Sequence, residues 1–329
     1  MKHLFPKIKA LCVVIALLTS CSNSQEVKEL RQWMTPNDKI KILATTGMIE
    51  DVVAAVGGEF VDTHTLIRGD LDPHSYQLVK GDDEKLAFAD LIFYNGLGLE
   101  HGPSLRHYLK DSEKAIPLGN QIQKENPNLI LMVEGTTDPH IWMDVSLWKK
   151  TLPYIVEALS KIDPEHAEQY QLNARKYAEL MQHKHGEILS IMRSIPEEHR
   201  YLVSSHDAFN YFSRAYLAAE GRDDWEDRFA APEGLAPESQ LSTLDIQNII
   251  NHIEKYQICV LFPESNVSKD SIRKIVNAGR ERGLKLRVAT DVLYADAMGP
   301  PGSDGDTYLK MVYHNASVLA KSLREPICE

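Results

Sequence analysis

The sequence predicts two α/β lobes with parallel sheets, joined by one long backbone helix. Three observations carry this. Short apolar, β-branched runs alternate with stretches of helical period, the pattern of parallel α/β units. These units fall into two groups, one on each side of residues 163–196. The dividing segment is built almost wholly of strong helix formers.

In the first group, strands are expected at 40–45, 61–67 and 91–95, with helices at 48–56, 84–89 and 147–160. In the second, strands are expected at 201–205, 258–262 and 285–290, with helices at 209–217, 243–256, 269–282 and 308–323. Between the groups, Asp163 and Pro164 mark a helix start, because Asp can cap and Pro is preorganised at the first helical position. No further Pro occurs until Pro196, and Gly186 is the one glycine of the stretch. A continuous helix of about 30 residues would measure about 45 Å, well beyond the usual length in a globular domain. Two helices broken near His185-Gly186 are the alternative. A single stiff strut between the lobes is the expectation adopted.

Residues 1–20 read as a secretory signal peptide. Lys2, Lys7 and Lys9 stand without an acid, the apolar run LCVVIALL follows at 11–18, and a small-residue site precedes Cys21. The run is too short for a bilayer, which takes roughly 20 apolar residues. Leu18-Thr19-Ser20-Cys21 resembles a bacterial lipobox, which implies cleavage before Cys21, acylation of its thiol and anchoring of the mature chain to a membrane. An ordinary signal peptide or a single membrane anchor is the plainer alternative. Residues 21–38 then form a lipidated tether, 39–162 the N-terminal lobe, 163–196 the linking helix and 197–329 the C-terminal lobe. Roughly 300 mature residues suffice for two domains.

A net charge of −11 argues against nucleic acid as a partner and suits a cation binder, as it suits many other acidic proteins. Past the leader, the cysteines are Cys21, Cys259 and Cys328. Cys259 lies in the apolar run 258–262 and reads as a buried core thiol, although an extracytoplasmic compartment permits pairing with Cys328. No CxxC occurs, so thiolates are not the metal-ligand set.

Of 13 histidines, His166, His183, His185, His199 and His252 sit on helical or charged stretches without a partner pattern. His74 and His140 differ. Asp72-Pro73-His74-Ser75-Tyr76 and Asp138-Pro139-His140-Ile141-Trp142 share Asp-Pro-His. Pro fixes φ, removes a donor and holds the preceding residue extended. Each imidazole therefore stands on a rigid turn, as a preorganised metal site requires. His206, in Val203-Ser204-Ser205-His206-Asp207, lies where a strand ends, and ligands of open α/β sheets bind beyond the carboxyl ends of strands. A carboxylate after the strand at 285–290, either Asp291 or Asp296, completes the candidates. Two ligands from each lobe then meet in the interlobe cleft.

With these residues in place, the chain resembles the metal-binding lipoproteins of ABC importers of the zinc, manganese and iron family, the TroA-like cluster. The resemblance rests on the two Asp-Pro-His segments, Asn95-Gly96-Leu97-Gly98-Leu99-Glu100, Ser205-His206-Asp207-Ala208-Phe209 and Asp296-Ala297-Met298-Gly299, in the family's order and spacing. It spans roughly residues 39–323. It implies one metal ion held in the interlobe cleft by His74, His140, His206 and a C-terminal Asp. Asp296 is assigned that place over Asp291. Its loop matches the family's ligand loop, and Gly299, Gly302 and Gly305 separate it from Tyr308 at the start of the last helix.

The resemblance further implies an extracytoplasmic solute-binding lipoprotein, in the periplasm or at the cell surface, acting as a monomer. It would capture a divalent transition metal, Zn²⁺ or Mn²⁺ with Fe also in range, and deliver it to a cognate ABC permease and its ATPase. Two departures bear on the metal. The segment 119–138 has no His, whereas dedicated zinc importers often carry a long His- and acid-rich loop there. Dedicated manganese binders often have Glu where this chain has His206.

A secreted metallohydrolase fits less well. Catalytic zinc usually keeps an open position beside three protein ligands, whereas three His and an Asp fill a tetrahedral site. Neither HExxH nor GxSxG occurs, and Glu264 reads as a support behind the ligands and not as a general base. A non-enzymatic role is expected. A surface adhesin that needs the metal for stability is the other alternative, and adhesion as an additional role is compatible with the same residues. Three imidazoles favour Zn²⁺ over Mn²⁺ in vitro, and binding should weaken below about pH 6, where histidine holds its proton.

Overall fold

The computed structural model describes residues 27–236 and 241–325. The leader, the lipobox with Cys21, and Cys328 lie outside the described residues. The first lobe is built on a parallel sheet of β1 (Ile40–Ala44), β2 (Val61–Thr65), β3 (Leu91–Tyr94) and β4 (Ala115–Pro117) in the order β2-β1-β3-β4. Ile42, Leu43, Ala44, Ile92 and Phe93 are fully buried, as near-continuous apolar runs are when helices cover both faces. α1 (Gly47–Gly57) carries the chain from β1 towards β2 and buries Met48, Ile49, Val52, Val53 and Val56 along one face. α2 (Asp82–Phe88), α3 (Pro103–Asp111), α4 (Leu118–Glu125) and α5 (Leu152–Ile162) complete the lobe. β4, α3 and α4 were not expected from sequence; β4 is three residues long and α4 eight, too short for a clear period.

The linking segment is one α-helix, α6 (Ala167–Arg193), of 27 residues, about 40 Å long. It runs unbroken through His185 and Gly186. A Cβ at Gly186 would meet nothing within 4 Å, so the glycine sits on an open face and costs only about 1 kcal/mol of helix propensity. Tyr170, Ala174, Met181, Ile188 and Met192 form its buried stripe. Asp163 does not cap the helix. Its carboxylate accepts instead from the Tyr170 hydroxyl at 2.5 Å and lies 2.8 Å from His166 Nδ1.

The second lobe repeats the plan with shorter strands. β5 (Leu202–Val203) pairs in parallel with β6 (Phe229–Ala230). α7 (Thr243–Tyr256) opens with a capping box between Ser242 and Asp245 and leads to β7 (Val260–Leu261). α8 (Asp270–Glu281) leads to β8 (Arg287–Val288), which pairs in parallel with β7. Phe262 N–H donates to Val203 at 2.9 Å, setting β7 beside β5. These strands end early because the chain leaves the ladder to form the loops that carry His206, Glu264 and Asp296. Single parallel bridges, His206 with Glu233 and Glu264 with Leu293, resume the pairing further on. The expected helix at 209–217 is a short turn followed by a π-helical stretch, Ser213–Leu217. There the Tyr216 hydroxyl accepts from Val145 N–H at 3.2 Å and meets His185 Nδ1 at 2.9 Å. α9 (Tyr308–Leu323) closes the lobe.

One hydrophobic core joins residues of both lobes and of α6, among them Ile42, Phe93, Trp148, Met181, Phe209 and Tyr308. Cys259 corrects an expectation. It is buried, but it is disulfide-bonded and not a free core thiol.

Candidate metal centre

The centre is assembled from strand ends. In the first lobe the strand order reverses between β1 and β3, the crevice where open α/β sheets bind ligands. Buried Glu100 ties the two strand ends together. Its carboxylate accepts from the Thr45 hydroxyl at 2.7 Å and from Asn95 and Gly96 N–H at 2.8 and 3.0 Å. Asn95 Nδ2 then donates to the Pro139 carbonyl at 2.9 Å, fixing the second Asp-Pro-His turn against the sheet.

Both Asp-Pro-His segments fold the same way. Asp72 Oδ1 accepts the His74 N–H at 2.8 Å, and Asp138 Oδ1 accepts the His140 N–H at 2.9 Å. Each is an Asx turn in which the intervening proline supplies no competing donor. The two then diverge. Asp72 Oδ2 takes the Ser75 hydroxyl at 2.5 Å, while Asp138 Oδ1 also meets His140 Nδ1 at 2.8 Å. In the second lobe, Glu264 does for His206 what Asp138 does for His140. Its Oε1 accepts from Ser205 and His206 N–H at 2.8 and 2.9 Å, and its Oε2 is bonded to His206 Nδ1. With Nδ1 held towards a carboxylate, Nε2 is the nitrogen of His140 and of His206 that faces the group, and on His206 it ligates once its own proton is displaced.

Among the described residues, His74, His140, His206 and Asp296 converge with one donor atom each inside 4.8 Å, and all four are buried. His74 Nε2 lies 3.3 Å from His140 Nε2 and 3.6 Å from Asp296 Oδ2. His206 Nε2 lies 3.1 Å from Asp296 Oδ2, and His140 Nε2 lies 3.5 Å from Asp296 Oδ1. A tetrahedral ion with bonds of about 2.0–2.1 Å separates its donors by about 3.3 Å. The spacing therefore fits one small transition-metal ion. Both Asp296 oxygens face imidazoles, so the carboxylate can bind through one oxygen or two. Its Oδ1 is buried without a hydrogen-bond partner.

The electrostatics favour a cation. Burial opposes the charge on Asp296, but the His206, His74 and His140 rings hold its carboxyl well below the usual range. Burial likewise opposes a protonated His206, yet Asp296 and Glu264 outweigh it and raise this imidazole well above its ordinary value. Burial pushes His74 down to about 3 against the pull of Asp296.

Asp291 stands elsewhere. It is partly exposed and pairs with Lys321 at 2.8 Å. His166, His183, His185, His199 and His252 are also outside the group. The supports around the group were mostly not legible in sequence. Asn210 donates to Asp138 at 3.0 Å and to Asp207 at 2.8 Å, and Tyr211 donates to the Asp138 carbonyl at 2.9 Å. Burial, with the Asp138 carboxylate, pushes Asp207 up to about 6. The Asp of each Asp-Pro-His was the available signal, since its side chain can reach the His two residues on.

Residues 42–322 match the family described as ZnuA, the periplasmic component A of the zinc-uptake complex. The chain belongs to this family. It is 35% identical over 316 residues to the metal-binding protein YtgA of Chlamydia muridarum, covering 95% of this chain and 93% of that protein. It is 32% identical over 310 residues to the manganese-binding lipoprotein MntA of Bacillus subtilis, covering 93% of this chain and 95% of MntA. The fold is similar to the crystal structure of Fe(III)-bound YtgA from Chlamydia trachomatis, with a TM-score of 0.81 at 36% identity, covering 88% of this chain and 99% of that one. The family is one of metal-binding transport proteins, and the two-lobed TroA-like architecture with one long helix is shared.

Proposed function

We propose that this chain captures one transition-metal ion outside the cytoplasm, through His74, His140, His206 and Asp296, and delivers it to an ABC permease and its ATPase. The observation that carries this is the convergence of three imidazoles and one carboxylate, all buried, at spacings of 3.1–3.6 Å in the interlobe cleft. The set suits Zn²⁺ by ligand type and by the affinity order of divalent metals. The two available oxygens of Asp296 also suit Mn²⁺ or iron, as in the manganese-binding MntA and the Fe(III)-bound YtgA. Glu264 is committed to His206 on its own lobe, which supports cargo binding over hydrolysis.

The same reading takes residues 1–20 as a leader, Cys21 as the lipidation site, 21–38 as tether, 39–162 and 197–329 as lobes, and 163–196 as the linking helix. The protein acts as a monomer held to the membrane by its lipid. No helix of the described residues is long and apolar enough to cross a membrane. The test is metal uptake in cells lacking the protein. The parent chain should restore it, Asp296→Ala should not, and Cys21→Ala should leave the membrane fraction while still binding metal. Full uptake with Asp296→Ala would refute the reading.

A further inference from the structure

Residues 27–33, ahead of β1, are helical and docked on the first lobe. Trp33 anchors them. Its indole is 5% exposed, stacks on the His64 ring at 5.1 Å, meets the Phe88 ring edge-on at 5.4 Å and donates Nε1–H to the Asp62 carbonyl at 3.0 Å. It belongs to the buried cluster of Leu43, Leu66, Ile67 and Leu86, and Leu30 and Met34 pack against the same cluster. So short a helix is not stable alone in water, so this packing is what holds it.

The contacts also give the segment a direction. Upstream, Glu29 pairs with Arg68 at 3.1 Å, just past the carboxyl end of β2. Downstream, Asn37 donates to the Asp62 carboxylate at 2.7 Å and Lys39 pairs with it at 3.6 Å, near the amino end of β2. The chain therefore runs antiparallel to β2 before it turns into β1. It enters the lobe at the carboxyl end of the sheet, where the loop after Arg68 leads to His74 and the metal centre lies. Chain length limits how far this end can stand from Cys21. The six residues from Cys21 to Glu26 reach at most about 22 Å. A free tether over all of 21–38 would reach about 60 Å and would join the lobe at the opposite end of the sheet.

We propose that the Trp33 segment is a clamp that turns the carboxyl-end face of the first lobe, with the metal centre, towards the membrane surface and keeps it within about 20 Å of the lipid on Cys21. This rests on the reading of Cys21 as the lipidation site, and it shortens the tether of 21–38 to the residues before 27. The clamp sets orientation and height and takes no part in holding the ion. It places the metal centre on the side where the proposed permease stands.

The experiment measures height above the membrane by energy transfer. The full lipidated chain is placed in vesicles of phosphatidylethanolamine and phosphatidylglycerol that carry an acceptor dye on their headgroups. A donor dye is attached at Asp70→Cys, in the exposed loop after β2, or at Glu59→Cys, exposed just before β2. The disulfide of Cys259 is left oxidised, and the parent chain, put through the same labelling, is the blank. From Asp62 to Ile67 the strand rises about 17 Å, so transfer from position 70 should exceed that from position 59 at least about twofold. Trp33→Ala should keep the parent's circular dichroism and lose the difference between the two positions, and Trp33→Phe, which keeps apolar packing, should retain most of it. Insertion of about 12 Gly/Ser residues between Glu26 and Val27, a flexible coil, leaves the lobe untouched and should also abolish the difference. Equal transfer from the two positions in the uninserted chain overturns the proposal, as does a difference that survives the insertion. If the chain does not float with the vesicles, the lipidation reading fails and the proposal with it.

Discussion

A single carboxylate oxygen of Asp138 serves both the backbone N–H and the ring Nδ1 of His140, at 2.9 and 2.8 Å. One contact fixes the turn and the other fixes the tautomer, so Nε2 faces the group. Loss of such a supporting carboxylate typically costs 10–100-fold in metal affinity. Asp138→Ala should fall in that range by calorimetric titration, and Asp138→Asn, whose amide oxygen can still accept, should recover part of it. Parent affinity in Asp138→Ala would show that the turn needs only Pro139.

The two acids of the C-terminal loop separate cleanly. Asp296 faces three imidazoles, whereas Asp291 pairs with Lys321 at the surface. Removing Asp296 takes the one anionic donor from the group. Asp296→Ala should weaken Zn²⁺ binding at least tenfold, about 1.4 kcal/mol. Asp291→Ala breaks an exposed pair worth about 0–1 kcal/mol to stability and should leave affinity unchanged. The reverse ranking would remove Asp296 from the centre.

The pH dependence follows from His206. Its pKa in the metal-free protein is raised well above 6.5, because Asp296 and Glu264 outweigh burial, whereas burial holds His74 near 3. At neutral pH, metal must therefore displace a proton from His206 and none from His74. Affinity should rise with pH until the raised His206 value is passed. The weakening on acidification then begins above the range of free histidine, which lies near pH 6.5. Titrations in buffers of different protonation enthalpy at about pH 7 should show proton release on binding. No proton release would contradict this assignment.

Interlobe motion should be small. α6 is a single helix, and bonds tie the lobes beside the centre: Trp142 Nε1–H to the Ala295 carbonyl at 2.9 Å, the Tyr308 hydroxyl to the Trp142 carbonyl at 2.8 Å, and Asn210 to Asp138. Wide hinge closure needs a few flexible linking residues. Solution scattering should record only a slight compaction on adding metal, and a large fall in radius of gyration would refute it.

The residues differ in how much of this they announced. Both Asp-Pro-His segments were legible because proline leaves the backbone little choice, and α6 was legible from propensity alone. The strands of the second lobe were placed correctly but drawn too long, since apolar pattern does not show where a chain leaves its ladder. β4 and α4 were missed because short elements carry too little period. Asn210 and Tyr211 were silent for another reason. They act across the cleft, at separations of 72 and 73 residues from Asp138, which only the tertiary fold brings together. Cys259 misled because an apolar run looks the same around a thiol and around half of a disulfide.

On this reading, three imidazoles and one carboxylate make a single tight metal centre. Calorimetric titration of the metal-stripped chain with Zn²⁺ tests it most directly. One tight site per chain is expected, with binding reduced sharply in His140→Ala and His206→Ala. No tight binding, two or more tight sites, or parent affinity in both variants would contradict it.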